Sequence, residues 1–277
     1  MVPVSFGYKK VKSVEEAISE MASSGGTILA GGHSLIPALK LRLSQPSELI
    51  DINGIESLKS IREQNGAIVI GSRATHAQVA GDALIQKYFP MMVTGASLIG
   101  DRQVRNYGTI GGSLAHADPA ADWPAMVLAS DSTIEVHGTA GSRLIHSSNF
   151  FKGLFHTDLQ ENEIITAIHV PIPPAGTKSS YQKFIQPASR FAIVGCAVES
   201  LPDKKVRIAF TGVSDYAFRD QGAEAALEGN NIDDQSIDNA VNAALKGVRI
   251  ASDHYASVEY RTHLAQVYLR KALVAVK

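Results

Sequence analysis

Two short glycine-rich segments place the tightest constraint on how this chain can fold. They are Ala30-Gly31-Gly32-His33-Ser34 and Thr109-Ile110-Gly111-Gly112-Ser113. Adjacent glycines let the backbone turn sharply and approach an anion closely, and consecutive N–H groups form an anion-binding concavity. The hydroxyl residues in both segments can donate to phosphate oxygens. The two segments therefore predict one diphosphate held jointly, and a valine at Gly32 or Gly111 is expected to fill space that the diphosphate needs.

Neither segment is a standard nucleotide-binding fingerprint, so other chemistry has to be weighed. The chain has no G-x-G-x-x-G between a strand and a helix and no GxxxxGK[ST]. The first segment also resembles the G-x-S-x-G nucleophile elbow of hydrolases, but Ile36 stands where the second glycine is required. A hydrolase that uses Ser34 is therefore disfavoured and stays an alternative, and His33 is interpreted as a loop histidine.

Two aspartates follow the second glycine segment, at Asp118 and Asp122. Asp122 directly precedes Trp123-Pro124, which is typical of a helix N-cap. Alternatively, one of these carboxylates holds sugar hydroxyls of a ligand. No further carboxylates or histidines cluster at ligand spacing, so the sequence predicts no metal site, and His116 is interpreted as structural.

The single cysteine, Cys196, limits the redox chemistry of the chain. It can form no internal disulfide, and an iron–sulfur cluster needs about four thiolates. The net charge of -1 does not favour nucleic acid as the main partner. The chain has no run of ~18 apolar residues and no apolar signal segment near its start, so we expect a cytoplasmic protein without membrane insertion.

The order of the predicted elements indicates an α+β protein with an α/β-like N-terminal part. The segment from Gln103 to Asp122 is rich in glycine and is predicted to be a loop. The proline cluster from Pro171 to Gly176 is the predicted domain boundary. Three strands and two helices are predicted beyond it, at 179–185, 191–199, 206–213, 234–246 and 257–274.

Three stretches of this sequence resemble one protein family. They are AGGHSLIPALKLRL at 30–43, QVRNYGTIGGSLAHADPAADWPA at 103–125 and EYRTHLAQVYLRKAL at 259–273. They look like the FAD-binding, or medium, subunit of molybdenum hydroxylases, similar to the medium subunit of aerobic carbon monoxide dehydrogenase and to the FAD domain of xanthine dehydrogenase. The resemblance covers nearly the whole chain.

The resemblance implies a fold and a set of FAD contacts. Residues 1–176 would be a vanillyl-alcohol-oxidase-like FAD-binding domain of two α/β subdomains, about 1–56 and 57–176. Residues 177–277 would be a C-terminal flavoprotein domain with a three-stranded antiparallel sheet and helices. No residue of the chain would be catalytic toward the primary substrate. The implied FAD contacts are Ala30, Gly31, Gly32, His33, Ser34, Leu35, Ile99, Thr109, Ile110, Gly111, Gly112, Ser113, Asp122, Ile165 and Lys183.

The resemblance implies separate roles for some of these FAD contacts. Ile99 and Ile165 would be apolar contacts near the isoalloxazine. Lys183 would lie near the flavin ring, where a cation stabilises the anionic reduced form. The sequence departs from the family at Arg190, because many relatives carry an aspartate there.

The family also implies partner chains. A small subunit would carry two [2Fe–2S] clusters, a large subunit would carry the molybdopterin cofactor, and two such heterotrimers would form a dimer. Electrons would pass from the clusters to FAD and on to a terminal acceptor. The sequence identifies neither the substrate nor the acceptor. A self-contained flavin oxidoreductase and a scaffold that has lost FAD remain as alternatives.

Overall fold

The structure, a computed structural model, describes residues 2–277. Its strands are β1 (Gly7–Lys10), β2 (Thr27–Leu29), β3 (Glu48–Asp51), β4 (Ile61–Gln64), β5 (Ala67–Gly71), β6 (Thr133–Gly138), β7 (Gly141–His146), β8 (Phe151–Gly153), β9 (His156–Thr157), β10 (Ile164–Pro171), β11 (Lys178–Ile185), β12 (Ala192–Ser200), β13 (Val206–Thr211) and β14 (Phe218–Arg219). Its α-helices are α1 (Val14–Ser24), α2 (Leu35–Lys40), α3 (His76–Gly81), α4 (Ala83–Tyr88), α5 (Pro90–Leu98), α6 (Arg102–Tyr107), α7 (Ile110–His116), α8 (Asp122–Ala129), α9 (Gln221–Leu227), α10 (Asp234–Ala243) and α11 (Val258–Val274). Short 3-10 helices span Ile52–Gly54, Glu56–Lys59 and Ser147–Asn149.

The strands form three main sheets and one small hairpin, β8-β9. The N-terminal sheet is parallel, in the order β1-β3-β2. The central sheet is antiparallel, in the order β4-β5-β10-β6-β7. The C-terminal sheet is antiparallel, in the order β11-β12-β13-β14. The mixture of helices with parallel and antiparallel sheets is α+β, as the sequence predicts.

Each main sheet packs its apolar side chains into a separate core. One core joins the parallel sheet to α1, through residues such as Ile18 and Ile50. The largest core lies between the central sheet and the helices α3–α8, and Trp123 is the largest of its fully buried side chains. The third core lies between the C-terminal sheet and the helices α9–α11. The site described below lies where these three units meet.

Most of the predicted elements are confirmed, and α1 illustrates why. Ser13 caps it, because the Ser13 hydroxyl accepts the N–H of Glu16 at 3.1 Å, and Gly25 ends it in the left-handed conformation. Ser13 and Glu16, three residues apart as in a capping box, form only half of that motif. The Glu16 carboxylate accepts the N–H of Lys12 at 2.8 Å, one residue before the cap.

The prediction of a loop from Gln103 to Asp122 is wrong. This segment forms two short helices, α6 and α7, joined by Gly108. Asp101 caps the first and Thr109 caps the second, each by accepting a backbone N–H in the first turn. Because the adjacent glycines lie inside α7 rather than in a turn, their low helix propensity misled the sequence analysis. The C-terminal sheet also differs from the three strands predicted. It contains a fourth strand, β14, which is only two residues long.

The C-terminal sheet holds residues 119–121, which follow α7, by hydrogen bonds to their backbone carbonyls. The Thr211 hydroxyl donates to the carbonyls of Pro119 at 2.7 Å and Ala121 at 2.6 Å. The N–H of Gly212 donates to the Pro119 carbonyl at 2.6 Å, and the N–H of Ala192 donates to the Ala120 carbonyl at 3.1 Å. These bonds fix the segment 119–121 between the central and the C-terminal sheets. No helix within residues 2–277 has both the length and the apolarity needed to cross a membrane.

Arg261 on α11 ties the last helix to the C-terminal sheet, and we predict that Arg261→Met destabilises the protein by about 3 kcal/mol. Its buried guanidinium donates from Nη1 to the carbonyls of Ile193 at 2.8 Å and Gly212 at 2.5 Å. Both carbonyls would lose a charge-assisted partner. Urea unfolding would measure the change in the free energy of unfolding.

Arg270→Met on the same helix is the matched control. Arg270 pairs with Asp238 at the surface, and exposed ion pairs contribute only about 0–1 kcal/mol. Equal destabilisation by the two substitutions would contradict the role assigned to Arg261.

Candidate functional site

A cavity of about 700 Å³ is lined by the two glycine segments and by a loop of the C-terminal part. Its wall includes Met21 and Ile28 of the N-terminal part and Ser189, Arg190 and Phe191 of the C-terminal part. Thirteen of the fifteen residues predicted to contact FAD line it: Ala30, Gly31, Gly32, His33, Ser34, Leu35, Ile99, Thr109, Gly111, Gly112, Ser113, Asp122 and Ile165.

Ile110 and Lys183 do not line the cavity. Ile110 is fully buried in the largest hydrophobic core, because it occupies the first position of α7 and faces the central sheet. Lys183 is also buried, and its ammonium group bonds to a neighbouring carboxylate rather than opening onto the cavity.

The first glycine segment has the unpaired donors that an anion requires. Within residues 2–277, the backbone N–H groups of Gly31, Gly32, His33 and Ser34 donate to no protein acceptor. Gly32 takes the left-handed conformation with φ of 74°, which turns the chain toward α2. Ser34 precedes α2, but its hydroxyl makes no capping bond and is free for a ligand. Four successive free N–H groups form the concavity expected for a diphosphate.

The second glycine segment differs, because four of its five backbone N–H groups, all but that of Thr109, are already used. Those of Ile110 and Gly111 donate to the carbonyls of Ala74 and Ser72, and those of Gly112 and Ser113 donate to the side chain and the carbonyl of Thr109. This segment therefore offers the hydroxyls of Thr109 and Ser113 to a ligand rather than an open set of amides. The first segment supplies most of the anion-binding N–H groups.

The first glycine segment touches the two residues directly before the second, Tyr107 and Gly108, and Gly31 is the reason it can. A Cβ added to Gly31 would lie 2.1 Å from the carbonyl oxygen of Tyr107 and 2.9 Å from the Cα of Gly108. Real Cβ atoms never approach a carbonyl oxygen so closely, so only glycine allows this contact. The expectation that both segments meet at one ligand thus has a structural basis.

The space around Gly32 and Gly111 differs from what the sequence analysis expected. A Cβ on Gly111 would point at the backbone and side chain of Ser72, 2.5 Å from its Cβ. A Cβ on Gly32 would meet the side chain of Ile36 at 2.9 Å. A valine at either position would first collide with the protein and not with the diphosphate.

Asp122 belongs to a buried polar network that joins the two parts of the chain. It is the first residue of α8 rather than its cap, which is Ala121. Its Oδ2 accepts from the Lys183 ammonium group at 2.8 Å, and its Oδ1 accepts from the Tyr181 hydroxyl at 2.5 Å. The side chains of Asp122 and Lys183 are 4% and 0% exposed, so this ion pair is sealed from water.

Burial controls the charges of this network. It raises the pKa of Asp122 and lowers the pKa of Lys183, although the pair opposes both shifts. It also raises the pKa of the Tyr181 hydroxyl, which the neighbouring carboxylate raises further. The Tyr181 hydroxyl therefore keeps its proton and remains a hydrogen-bond donor. Tyr181 and Lys183 together occupy both carboxylate oxygens of Asp122. Asp122 is the member of this network that lines the cavity.

One unpaired cation, Arg190, lines the cavity. Arg190 sits in the left-handed conformation with φ of 62°, in a tight loop closed by its N–H to the carbonyl of Gln186. Within residues 2–277 its guanidinium has no carboxylate within ion-pair distance and makes no side-chain hydrogen bond, and its Nε is buried. Phe191 and Ile165 add apolar surface to the same cavity. Arg190 thus brings a positive charge to the cavity lining.

Among the cavity residues that the sequence analysis did not name are Ser72 and His76. Ser72 has a buried hydroxyl with no partner within the described residues. The only sequence signal at His76 is the capping box that begins α3, Thr75 with Gln78, and it predicts a helix start rather than a ligand contact.

Comparisons with known proteins place the chain in families of flavoproteins. Residues 4–173 match the family described as "FAD binding domain in molybdopterin dehydrogenase". Residues 179–276 match the family described as "CO dehydrogenase flavoprotein C-terminal domain". The free N–H groups, the hydroxyls and the length of the cavity fit an FAD whose diphosphate lies at the glycine segments.

Two relatives and one solved structure cover almost the whole chain. The carbon monoxide dehydrogenase medium chain of Hydrogenophaga pseudoflava is 36% identical, over 99% of this chain and 98% of the relative. The nicotine 6-hydroxylase medium subunit of Paenarthrobacter nicotinovorans is 34% identical, over 96% and 95%. A solved structure of the carbon monoxide dehydrogenase from Hydrogenophaga pseudoflava, which lacks the Mo-pyranopterin moiety, has a TM-score of 0.96 at 38% identity and covers 100% of this chain and 98% of that chain.

We predict that Gly31→Ala weakens FAD binding at least about tenfold, because the added methyl group would push the two glycine segments apart. Titration with FAD, followed by flavin fluorescence, would measure the dissociation constant. Gly81→Ala is the control, since an added Cβ there meets no atom within 4 Å and alanine favours a helix. An unchanged dissociation constant in Gly31→Ala would contradict the requirement for this contact.

We predict that Asp122→Asn and Lys183→Met each cost about 3–5 kcal/mol of stability, because each leaves a buried charge without its partner. The double mutant should lose less than the sum of the two, by at least about 1 kcal/mol. In Asp122→Asn the remaining amine binds its proton more weakly in the folded state than in the unfolded state, so the stability of this mutant should rise with pH. Urea unfolding at several pH values tests this, and additive effects would disprove the coupling.

Proposed function

The chain belongs to the family of FAD-binding medium subunits of molybdenum hydroxylases, and we propose that it is the electron-transfer subunit of a heteromeric complex of this type. It would take electrons from [2Fe–2S] clusters on a partner subunit and pass them through FAD to a terminal acceptor. The observation that carries this proposal is the cavity lined by both glycine segments, within the match to the FAD-binding family at residues 4–173.

The residues of this chain would bind and orient FAD rather than transform a substrate. The free N–H groups from Gly31 to Ser34, together with the hydroxyls of Thr109 and Ser113, would hold the diphosphate. Ile99, Ile165 and Phe191 would contact the rings of the cofactor. Bound FAD supplies the capacity to accept and release electrons one or two at a time.

The cysteine content of the chain supports a division of labour between subunits. The only cysteine, Cys196, is fully buried in the C-terminal core, and burial raises the pKa of its thiol well above the usual value. It cannot ligate a cluster in this position. Clusters that feed the flavin would therefore lie on another chain.

The names of the relatives support the proposed partners. "Medium chain" and "medium subunit" imply one smaller and one larger companion. We propose a small iron–sulfur subunit, a large molybdopterin subunit and a dimer of such heterotrimers. The proposed domains are 1–176 and 177–277, and the limits of the two family matches, 173 and 179, support this boundary. The vanillyl-alcohol-oxidase-like arrangement of two subdomains, about 1–56 and 57–176, is part of the same proposal.

Absorption spectra of the purified chain and of the chain co-expressed with its genomic neighbours would test the function. We expect the visible bands of oxidised flavin in both preparations, and iron–sulfur absorbance only in the second. Reduction of the complex by its substrate should bleach the flavin bands, because the electrons end on FAD. A chain that oxidises a small organic substrate alone would instead favour a self-contained flavin oxidoreductase.

Cys196→Ala is the matched control for the origin of the clusters. The complex that contains this variant should keep its full iron–sulfur absorbance, because the buried thiol ligates no iron. Loss of that absorbance with the subunits still assembled would contradict the proposed division of labour. A colourless chain that FAD cannot reconstitute, alone or with its partners, would rule out the flavoprotein function.

A further inference from the structure

His76 has its ring orientation and tautomer fixed by a buried indole. It is the first residue of α3, directly after the turn that follows β5. The Nε1–H of Trp123 donates to His76 Nδ1 at 2.9 Å, and the two residues are 0% and 5% exposed. Because an indole nitrogen can only donate, Nδ1 must be the acceptor. The ring proton of the neutral imidazole therefore resides on Nε2.

The imidazole is also held in its neutral form. Burial above all, and then the neighbouring His33 and Arg105, together lower the pKa of His76 to about 3. No carboxylate contributes to this shift, and Trp123, the residue that bonds to the ring, carries no charge. At neutral pH His76 is thus an N–H donor of fixed direction and zero charge.

The Nε2 atom lies at the junction of the two glycine segments. A Cβ added to Gly108 would be 2.6 Å from His76 Nε2, and a Cβ added to Gly31 would be 2.9 Å from the Gly108 Cα. The backbone N–H of His76 also donates to the Gly108 carbonyl at 3.0 Å. Nε2 therefore lies beside the point where Gly31 and Gly108 touch.

The Nε2–H group has no acceptor within the part of the chain that the structure describes, and His76 lines the cavity. This N–H group is not among the buried side-chain atoms that lack a partner, so it reaches the cavity and can bond to a ligand there. The same region of the cavity carries the free N–H groups of Gly31 and Gly32. All of these donors would converge on one acceptor-rich group.

We propose that His76 is a cofactor-binding residue whose Nε2–H donates a hydrogen bond to a diphosphate oxygen of FAD. Trp123 is then a positioning residue that selects the Nε2–H tautomer. The assignment rests on the proposed FAD site, and it adds a side-chain donor to backbone amides and hydroxyls. Because the donor is neutral, its contribution to FAD affinity does not titrate near neutral pH.

The affinity of the full chain for FAD provides the first test. His76→Leu removes the donor and should weaken FAD binding on the order of tenfold or more, as expected for a bond to a charged acceptor. His76→Gln can accept from the indole with its oxygen and donate with its amide, so it should recover much of the affinity. His254→Leu, at an exposed histidine outside the cavity, is the matched control and should bind FAD as tightly as the wild type.

Nitrogen-15 NMR of the histidine-labelled wild-type chain gives a second test that needs no stable leucine variant. His76, assigned by the signal that His76→Gln lacks, should be a neutral Nε2–H imidazole between about pH 5 and 8. Its Nε2–H resonance should shift when FAD is added.

The outcomes separate this proposal from the wider one. A wild-type chain that binds no FAD, even with its partners, overturns the proposed function and this assignment together. A wild-type chain that binds FAD while His76→Leu binds it equally tightly overturns this assignment alone. This assignment alone is also overturned if His76 is the Nδ1–H tautomer, or if its Nε2–H resonance does not shift when FAD is added.

Discussion

The structure of the site depends on one close contact, in which Gly31 packs against the carbonyl of Tyr107 and the Cα of Gly108. No side chain fits between these backbones, so the contact holds the two glycine segments together at a single point. The second segment is itself fixed from behind by hydrogen bonds to Ser72, Ala74 and Thr109. The second segment is therefore a rigid wall of the site. The first segment packs beside it and presents its free N–H groups to the cavity.

The hydrogen-bond donors that the glycine segments present to the cavity are neutral, and one cationic side chain, Arg190, also lines the cavity. Around the glycine segments the donors are backbone amides, hydroxyls and a histidine that burial keeps neutral. Within the described residues Arg190 is the only lysine or arginine that lines the cavity, and it belongs to the C-terminal part. A diphosphate can be bound by oriented neutral dipoles alone, although Lys59 and Arg73 line a neighbouring pocket that shares Ala30, Gly31 and Thr109 with this cavity.

The buried network of Asp122, Lys183 and Tyr181 couples this cavity to the C-terminal sheet. An ion pair sealed from water contributes little net stability but strongly penalises any arrangement that separates its members. The network therefore specifies how β11 and α8 meet. It also changes the interpretation of Lys183, whose charge is neutralised by Asp122 instead of facing the cavity.

The sequence by itself determined the local elements and the nature of the ligand. Capping residues and apolar periodicity predicted α1, the strands and the final helices, because these signals act over a few residues. The paired glycines and their hydroxyls indicated a diphosphate before any coordinate was known, and the resemblance specified FAD. Only the tertiary structure decided which donors are free, that Ile110 and Lys183 turn away from the cavity, and that His76 and Trp123 meet across 47 residues of chain. These features depend on contacts between distant segments, whose geometry is set by packing and leaves no periodic signal in the sequence.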